Sequence, residues 1–371
     1  MKKTYITLVS EQAIPNVQYI KEFAAQVDRY LFVSTERMEK NNSAQHIIDA
    51  CALKPGSYKV VVVNQESLSD ILTKLEAALS EKLFLGTKGF IVNCTLGTKV
   101  MSIALYEYFR NKGNAQLLYT PIGSNSYKGL IDEKFGGTFT QKVNVEEYVK
   151  SYGIGIAKSS STLFSNIDYT LVFFEKYMNF GFDQYQILEA LRTGENQKYR
   201  AKGLDIFSKI EGLDNFLKAI AFPLSTDNVL IAKEVRYLTG GWFEEWTYFI
   251  IKHRLGLNDK EILIGLNTVL NAENDLDVVF VLNNTFHIIE CKTAIPDAYL
   301  QQTTLYKSGA LVDKFGRNAK SYIFTLSNLR AKDGQFKKGV MDRSLQQNVI
   351  VADKETLLND FENFMKDNFI K

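Results

Sequence analysis

The stretch NDLDVVFVLNNTFHIIECKT, residues 274–293, decides how the second half of the chain folds. Two apolar runs rich in β-branched and aromatic residues flank Asn283-Asn284. Such runs read as strands. Asparagine tolerates the left-handed backbone that a tight turn requires. The segment is therefore predicted to be an antiparallel hairpin, with Asp277 opening the first strand and Glu290-Cys291-Lys292 in the second. Strand residues two apart share a face. Glu290 and Lys292 thus project together, Cys291 turns into the core, and the hairpin brings Asp277 beside them. Three charges entering otherwise apolar strands need a reason.

Metal-dependent phosphodiester cleavage supplies one. Carboxylate oxygens suit Mg²⁺ or Mn²⁺. Such an ion polarises a phosphate and acidifies a bound water, and a lysine orients that water or offsets developing charge. The bland alternative is a surface hairpin with an ordinary ion pair. Working outward, GGWFEEWTYFIIKHRLG (240–256) reads as an aromatic-rich helix and EILIGLNTVL (261–270) as a strand. A helix around 298–315 and the strand SYIFTLS (321–327) follow. Asp275 is expected at the rim, Lys307 on a helix surface, and His287 within a strand rather than as a ligand.

This segment resembles the PD-(D/E)xK restriction-endonuclease-like superfamily, with Asp277, Glu290 and Lys292 at its motif positions. The superfamily often adds an acid on the helix before the hairpin. Of Glu244 and Glu245, its Gly-x-Trp-x-Glu pattern favours Glu244. The resemblance implies catalysis by these four residues, with the metal on Asp277, Glu290 and Glu244.

The first 120 residues follow another rhythm. Apolar runs at YITLVS (5–10), YLFVST (30–35), YKVVVVN (58–64), GFIVNCT (89–95) and AQLLYTPIG (115–123) alternate with helical periodicity near 15–27, 38–52, 67–83 and 98–111. Buried strands separated by amphipathic helices indicate a parallel sheet covered on both faces, a Rossmann-like α/β domain. Its boundary is placed at residue 145. Residues 146–228 read as a mostly helical connector to a catalytic core at 229–371, so the domains are 1–145 and 146–371.

Ligands of open parallel sheets bind beyond the carboxyl ends of the strands. Those ends carry Ser10–Asn16 and NCTLGTK (93–99). Neither GxGxxG nor GxxxxGK[ST] occurs, which argues against a dinucleotide or P-loop site. NCTLGTK places a glycine, hydroxyls and a lysine at a helix N-terminus, a ready anion site. Capping by Thr95 or Thr98 is the plain alternative, but it leaves Lys99 unexplained in a turn that disfavours cations.

These loops make the first domain similar to CARF domains, the sensors of CRISPR systems, except that Leu96 stands where a glycine is usual. CARF domains pair about a two-fold axis and bind cyclic oligoadenylates across it. The resemblance assigns Ser10, Glu11, Gln12, Asn93, Thr95, Gly97, Thr98 and Lys99 to the ligand. A CARF domain followed by a PD-(D/E)xK domain is the layout of the Can/Card-type CRISPR ancillary nucleases. What it implies is a homodimeric endonuclease activated by a cyclic oligoadenylate, foremost cyclic tetra-adenylate, that uses Mn²⁺ or Mg²⁺ to cut single-stranded DNA and RNA. The alternatives are a duplex DNA nickase and a ligand-binding regulator with a degenerate nuclease fold.

Composition agrees with a localised site. The 371 residues hold 44 basic and 42 acidic side chains, a formal charge of +2. No histone-like coat for nucleic acid is possible. Cys51, Cys94 and Cys291, like His46, His253 and His287, are scattered, which excludes a disulfide framework and makes structural zinc an unlooked-for feature. Lys2-Lys3 precede an apolar run that Glu11 ends too early for a signal peptide, and no run reaches the roughly 18–20 apolar residues of a membrane span. A cytoplasmic location is expected.

Overall fold

The computed structural model describes residues 2–158, 163–206, 210–270, 272–296 and 299–370. Strands β1 (Lys3–Leu8), β2 (Val27–Ser34), β3 (Tyr58–Val62), β4 (Phe90–Asn93), β5 (Ala115–Tyr119), β6 (Ser126–Gly129) and β7 (Gly137–Thr138) form one sheet in the order β3-β2-β1-β4-β5-β6-β7. The first five run parallel, and β6 and β7 add an antiparallel edge. Tyr5, Ile6, Leu31, Phe32, Ile91 and Val92 are fully buried, as strands covered on both faces require.

Helices α1 (Ile14–Glu22), α2 (Glu36–Lys40), α3 (Ser43–Ala50), α4 (Leu68–Leu79) and α5 (Lys99–Phe109) make the crossovers. Side-chain caps set three of their starts. Thr35 accepts from the Met38 N–H at 3.3 Å, Ser67 from Asp70 at 3.2 Å, and Thr98 from Met101 at 3.3 Å. Helices α4 and α5 pack on one face of the sheet, and α1 and α3 on the other.

A second sheet has the order β15-β14-β13-β12-β11-β8, from β8 (Gly155–Lys158), β11 (Ile262–Leu270), β12 (Ala272–Leu282), β13 (Thr285–Lys292), β14 (Lys320–Thr325) and β15 (Val349–Ala352). A small ribbon pairs β9 (Leu204–Asp205) with β10 (Val229–Leu230). Between the sheets' main parts lie α6 (Val145–Ser151), α7 (Ile167–Met178), α8 (Phe182–Arg192), α9 (Tyr199–Lys202), α10 (Leu213–Ala219) and α11 (Ala232–Arg236). The chain then kinks at Gly240-Gly241 into α12 (Trp242–Leu255). Strand β8, absent from the sequence reading, lies inside the stretch expected to be helical. Its short GIAK carries too little periodicity to announce an edge strand. The helices after residue 337 were likewise not anticipated.

The two sheets share one apolar core. Tyr148 of α6 stacks on Phe286 of β13 at 4.9 Å, and its hydroxyl donates to the Phe315 carbonyl at 3.1 Å. Val279, Val281, Phe286 and Ile288 pack with Val17, Tyr19 and Ile47 of the first domain. On the hairpin's other face, Val278, Phe280, Ile289 and Cys291 pack with α12. The catalytic-type hairpin is therefore buried on both sides, once against the helix that carries Glu244 and once against the first domain.

Candidate active site and ligand pocket

Asp277 does not open its strand. It sits in the middle of β12, which begins five residues earlier because β11 pairs along it. Its site is nevertheless marked by a break in pairing. Register places Gly265 opposite Asp277, yet this pair is missing from an otherwise continuous ladder, and Gly265 adopts φ 62°. Side-chain alternation inverts at the same point. Ile264 and Val278 face α12, whereas Leu266 and Leu276, two residues away, belong to the core shared with the first domain. Irregularities of this kind re-aim side chains beside functional sites.

The re-aimed carboxylate of Asp277 accepts the Cys291 N–H at 2.7 Å. The Lys292 Nζ lies 3.6 Å from Asp277 Oδ2 and forms an ion pair with Glu290. Cys291 points away, its thiol donating to Thr247 Oγ1 at 3.4 Å. Glu244, in the first turn of α12, completes the group. Burial pushes its carboxyl up, as do Glu290 and Asp275, while Lys292 and Arg200 oppose the shift. Burial first, then Glu290 and Glu244, pushes Asp277 well above the usual carboxylate range. For Lys292, burial alone would lower the ammonium, but Asp277 and Glu290 more than offset it and hold it above the ordinary lysine range. Three acids thus crowd one lysine that remains protonated at neutral pH.

Glu245 faces elsewhere. Its carboxylate accepts the backbone N–H groups of Phe164 and, at 3.1 Å, Ser165, and burial raises it to about 6. His287 is buried, stacks on Phe280 at 4.6 Å, hydrogen-bonds the Tyr322 hydroxyl at 3.2 Å, and is pushed down to about 3 by burial. It is a core residue. Asp275 is exposed at the rim, accepting from Asn267 at 2.8 Å, and Lys307 is exposed. Two arginines near the site escaped sequence reading. Arg200 of α9 acts on Glu244, and Arg192 of α8 donates to Thr293 Oγ1 at 3.0 Å. Neither sits in a motif, and only folding brings them to the hairpin.

Among the described residues, no three His, Cys, Asp or Glu side chains are arranged to enclose a metal ion. The Lys292 amine lies between two of the acids. A closed cage is not what a magnesium-type ion requires. Such ions take one or two carboxylates and complete their shell with water and substrate phosphate. The hard oxygens of Asp277 and Glu290, with Glu244 alongside, fit that donor chemistry.

The second site is a cavity of about 340 Å³ beyond the carboxyl ends of β1, β4 and β5, within the range of small-molecule pockets. Ser10, Glu11, Gln12, Thr95 and Gly97 line it, as does the loop Thr120–Ser124. Ser10 Oγ accepts the Gln12 N–H at 3.1 Å and shapes the first loop, Thr95 Oγ1 accepts the Thr120 N–H at 2.9 Å, and Glu11 pairs with Arg37.

Asn93, Thr98 and Lys99 do not line this cavity. Thr98 caps α5, and Lys99 is exposed in that helix's first turn. Asn93 is fully buried. Its amide donates within 3.3 Å of Tyr5, Thr7 and Asn16, and its carbonyl accepts the Thr95 N–H at 3.0 Å. It positions the 95–97 loop from beneath. Asn93→Ala therefore strands several buried polar groups, with an expected loss of about 1–3 kcal/mol in urea unfolding. Unchanged stability would contradict this role.

The fold and its two sites define a two-part protein, an α/β ligand-pocket domain joined to an α/β domain with a carboxylate–lysine site. Family models specify both parts: the Card1 CARF domain matches residues 4–148, and the Card1-like endonuclease domain matches residues 231–368. The chain belongs to the family that fuses a CARF domain to a Card1-like endonuclease domain. Solved structures share the fold along the whole chain. Can2 from Sulfobacillus thermosulfidooxidans, in complex with cyclic tetra-adenylate, aligns at TM-score 0.69 and 18% identity, over 98% of this chain and 99% of that one. Protein VC1899 from Vibrio cholerae aligns at TM-score 0.74 and 16% identity, over 99% and 98%. A type III CRISPR defence DNA nuclease activated by cyclic oligoadenylate aligns at TM-score 0.60 and 14% identity, and this chain spans 52% of its length. No curated protein sequence matches the chain. No helix among the described residues is long and apolar enough to cross a membrane.

Proposed function

We propose that this chain is a metal-dependent endonuclease switched on by a cyclic oligoadenylate, with cyclic tetra-adenylate as the favoured effector. The observation that carries the proposal is the convergence of Asp277, Glu290 and Glu244 on Lys292 where β12 and β13 stop pairing. This arrangement supports a PD-(D/E)xK-type site for phosphodiester hydrolysis. Its family and the cyclic tetra-adenylate held by the similar Can2 structure support the effector.

Bound Mn²⁺ or Mg²⁺ would supply positive charge to the scissile phosphate and acidify a water. Asp277, Glu290 and Glu244 are the residues that would hold it. The Cys291 N–H fixes the orientation of Asp277. Lys292, kept protonated by its acidic neighbours, donates to the negative charge that develops on the phosphate.

The substrates are single-stranded DNA and RNA, held mainly through phosphates and so sensitive to salt. The working unit is a homodimer paired through the first domain. Ile103 on α5 and Ile122 beside the pocket, 58% and 89% exposed, supply apolar surface for that pairing. The metal requirement has a direct check. With effector present, EDTA should abolish cutting, and excess Mn²⁺ or Mg²⁺ should restore it. Undiminished cutting in EDTA would refute the proposed chemistry.

A further inference from the structure

The wall of the effector pocket is not built by the first domain alone. Besides Ser10, Gln12 and Thr95, the cavity is lined by Asn283 and Asn284, the turn of the β12–β13 hairpin, and by Arg317, just before β14. The far ends of β13 and β14 thus reach the pocket, while Glu290 and Lys292 lie toward the opposite end of β13. Thr285 and Lys292 are separated by seven residues of extended chain, about 23 Å.

The two domains already grip these strand ends. Gln12 Oε1 accepts the Arg317 backbone N–H at 3.0 Å. Gly316 leaves no room for a side chain, since a Cβ would stand 2.1 Å from the Tyr152 hydroxyl and 3.1 Å from Gln12 Oε1. Asn284 Oδ1 accepts the Val143 N–H at 2.8 Å, and its Nδ2 donates to Asn125 Oδ1 at 2.7 Å. Asn283 and Asn284 have φ of 49° and 59°, the left-handed pair of a tight turn. The Arg317 guanidinium, in contrast, is exposed and forms no ion pair among the described residues.

We infer that Arg317 binds a phosphate of the nucleotide effector, so that the endonuclease domain reads the effector directly through the pocket ends of β13 and β14. A guanidinium presents several N–H donors in a fixed fork that suits phosphate oxygens. Among the described residues, the only acid on the cavity wall, Glu11, is already paired with Arg37. An effector held by Arg317 beside Gln12 would brace the hairpin end on the first domain. Because β13 is buried on both faces, a constraint at Thr285 is carried along a stiff strand to Glu290 and Lys292. The effector shifts the equilibrium by its differential affinity for the braced state.

This inference rests on the reading of the chain as an effector-activated nuclease, and the test separates the two. Calorimetry would measure cyclic tetra-adenylate binding to the full-length wild-type protein and to Arg317→Ala and Arg317→Lys, with melting temperature as the folding control. Loss of one charge-assisted contact should weaken binding by about 10- to 100-fold in Arg317→Ala, with Arg317→Lys intermediate. Effector-stimulated cutting should need correspondingly more effector. Equal affinity of wild type and both variants would overturn the role of Arg317 and leave the functional reading standing. No binding by the wild type would overturn that reading, and this inference with it.

Discussion

Glu290→Ala should reduce the effector-stimulated cleavage rate by on the order of 10²–10³-fold, the usual size of a lost transition-state electrostatic contact. Two consequences of the geometry set this expectation. Removing the carboxylate takes away one hard-oxygen donor, and it also deletes the nearest counter-charge of Lys292. Lys292 is then left with Asp277 at 3.6 Å as its remaining ion-pair partner, so its direction changes as well as its charge environment. The fold should not suffer. Glu290 raises the cost of ionising both Asp277 and Glu244, and its removal relieves that repulsion. Cleavage under single-turnover conditions, with excess protein and metal, is the measurement. Wild-type rates with folded Glu290→Ala protein would remove Glu290 from the chemistry.

Much of the fold was legible because hydrophobic period carries it. The five parallel strands of the first domain are short β-branched runs between helical repeats, and the structure has a strand in each of those runs. The Asn283-Asn284 turn was legible for a chemical reason, the tolerance of asparagine for positive φ. Edge strands β6, β7 and β8 were not, since two to four residues do not establish a period.

The candidate sites divide along the same line. Asp277, Glu290 and Lys292 are close in sequence, so strand alternation and one turn suffice to gather them. The break in pairing at Gly265 was invisible, because nothing in EILIGLNTVL says that its glycine takes a positive φ. The choice of Glu244 over Glu245 comes from the Gly-x-Trp-x-Glu resemblance and not from periodicity; in the docked helix Glu244 lies in the electrostatic field of Lys292 and Glu290, while Glu245 accepts from Phe164 and Ser165. Asn93 shows the opposite failure: its loop borders the cavity, but an asparagine at the end of a buried strand is spent on its neighbours. Arg317 and Asn284 reach the pocket from more than 130 residues beyond Tyr152, the last wall residue before the hairpin, a distance that no local pattern bridges.

The second large effect is the effector switch. The pocket at the ends of β1, β4 and β5 and the acids at the end of β13 belong to one continuous core rather than to two loosely tethered domains. A ligand that orders the pocket wall should therefore act on strands that run to the carboxylate–lysine group. A coupling of 1–3 kcal/mol corresponds to roughly 5- to 150-fold, typical of linked sites. The near-neutral net charge of +2 gives little general affinity for polyanions, so cutting without effector should be slow. The most direct test is the cleavage rate of single-stranded DNA and RNA with Mn²⁺, in the presence and absence of cyclic tetra-adenylate. The rate should be at least roughly 10-fold faster with the effector, within that coupling range. Equal rates in the two conditions, or no cutting in either, would contradict it.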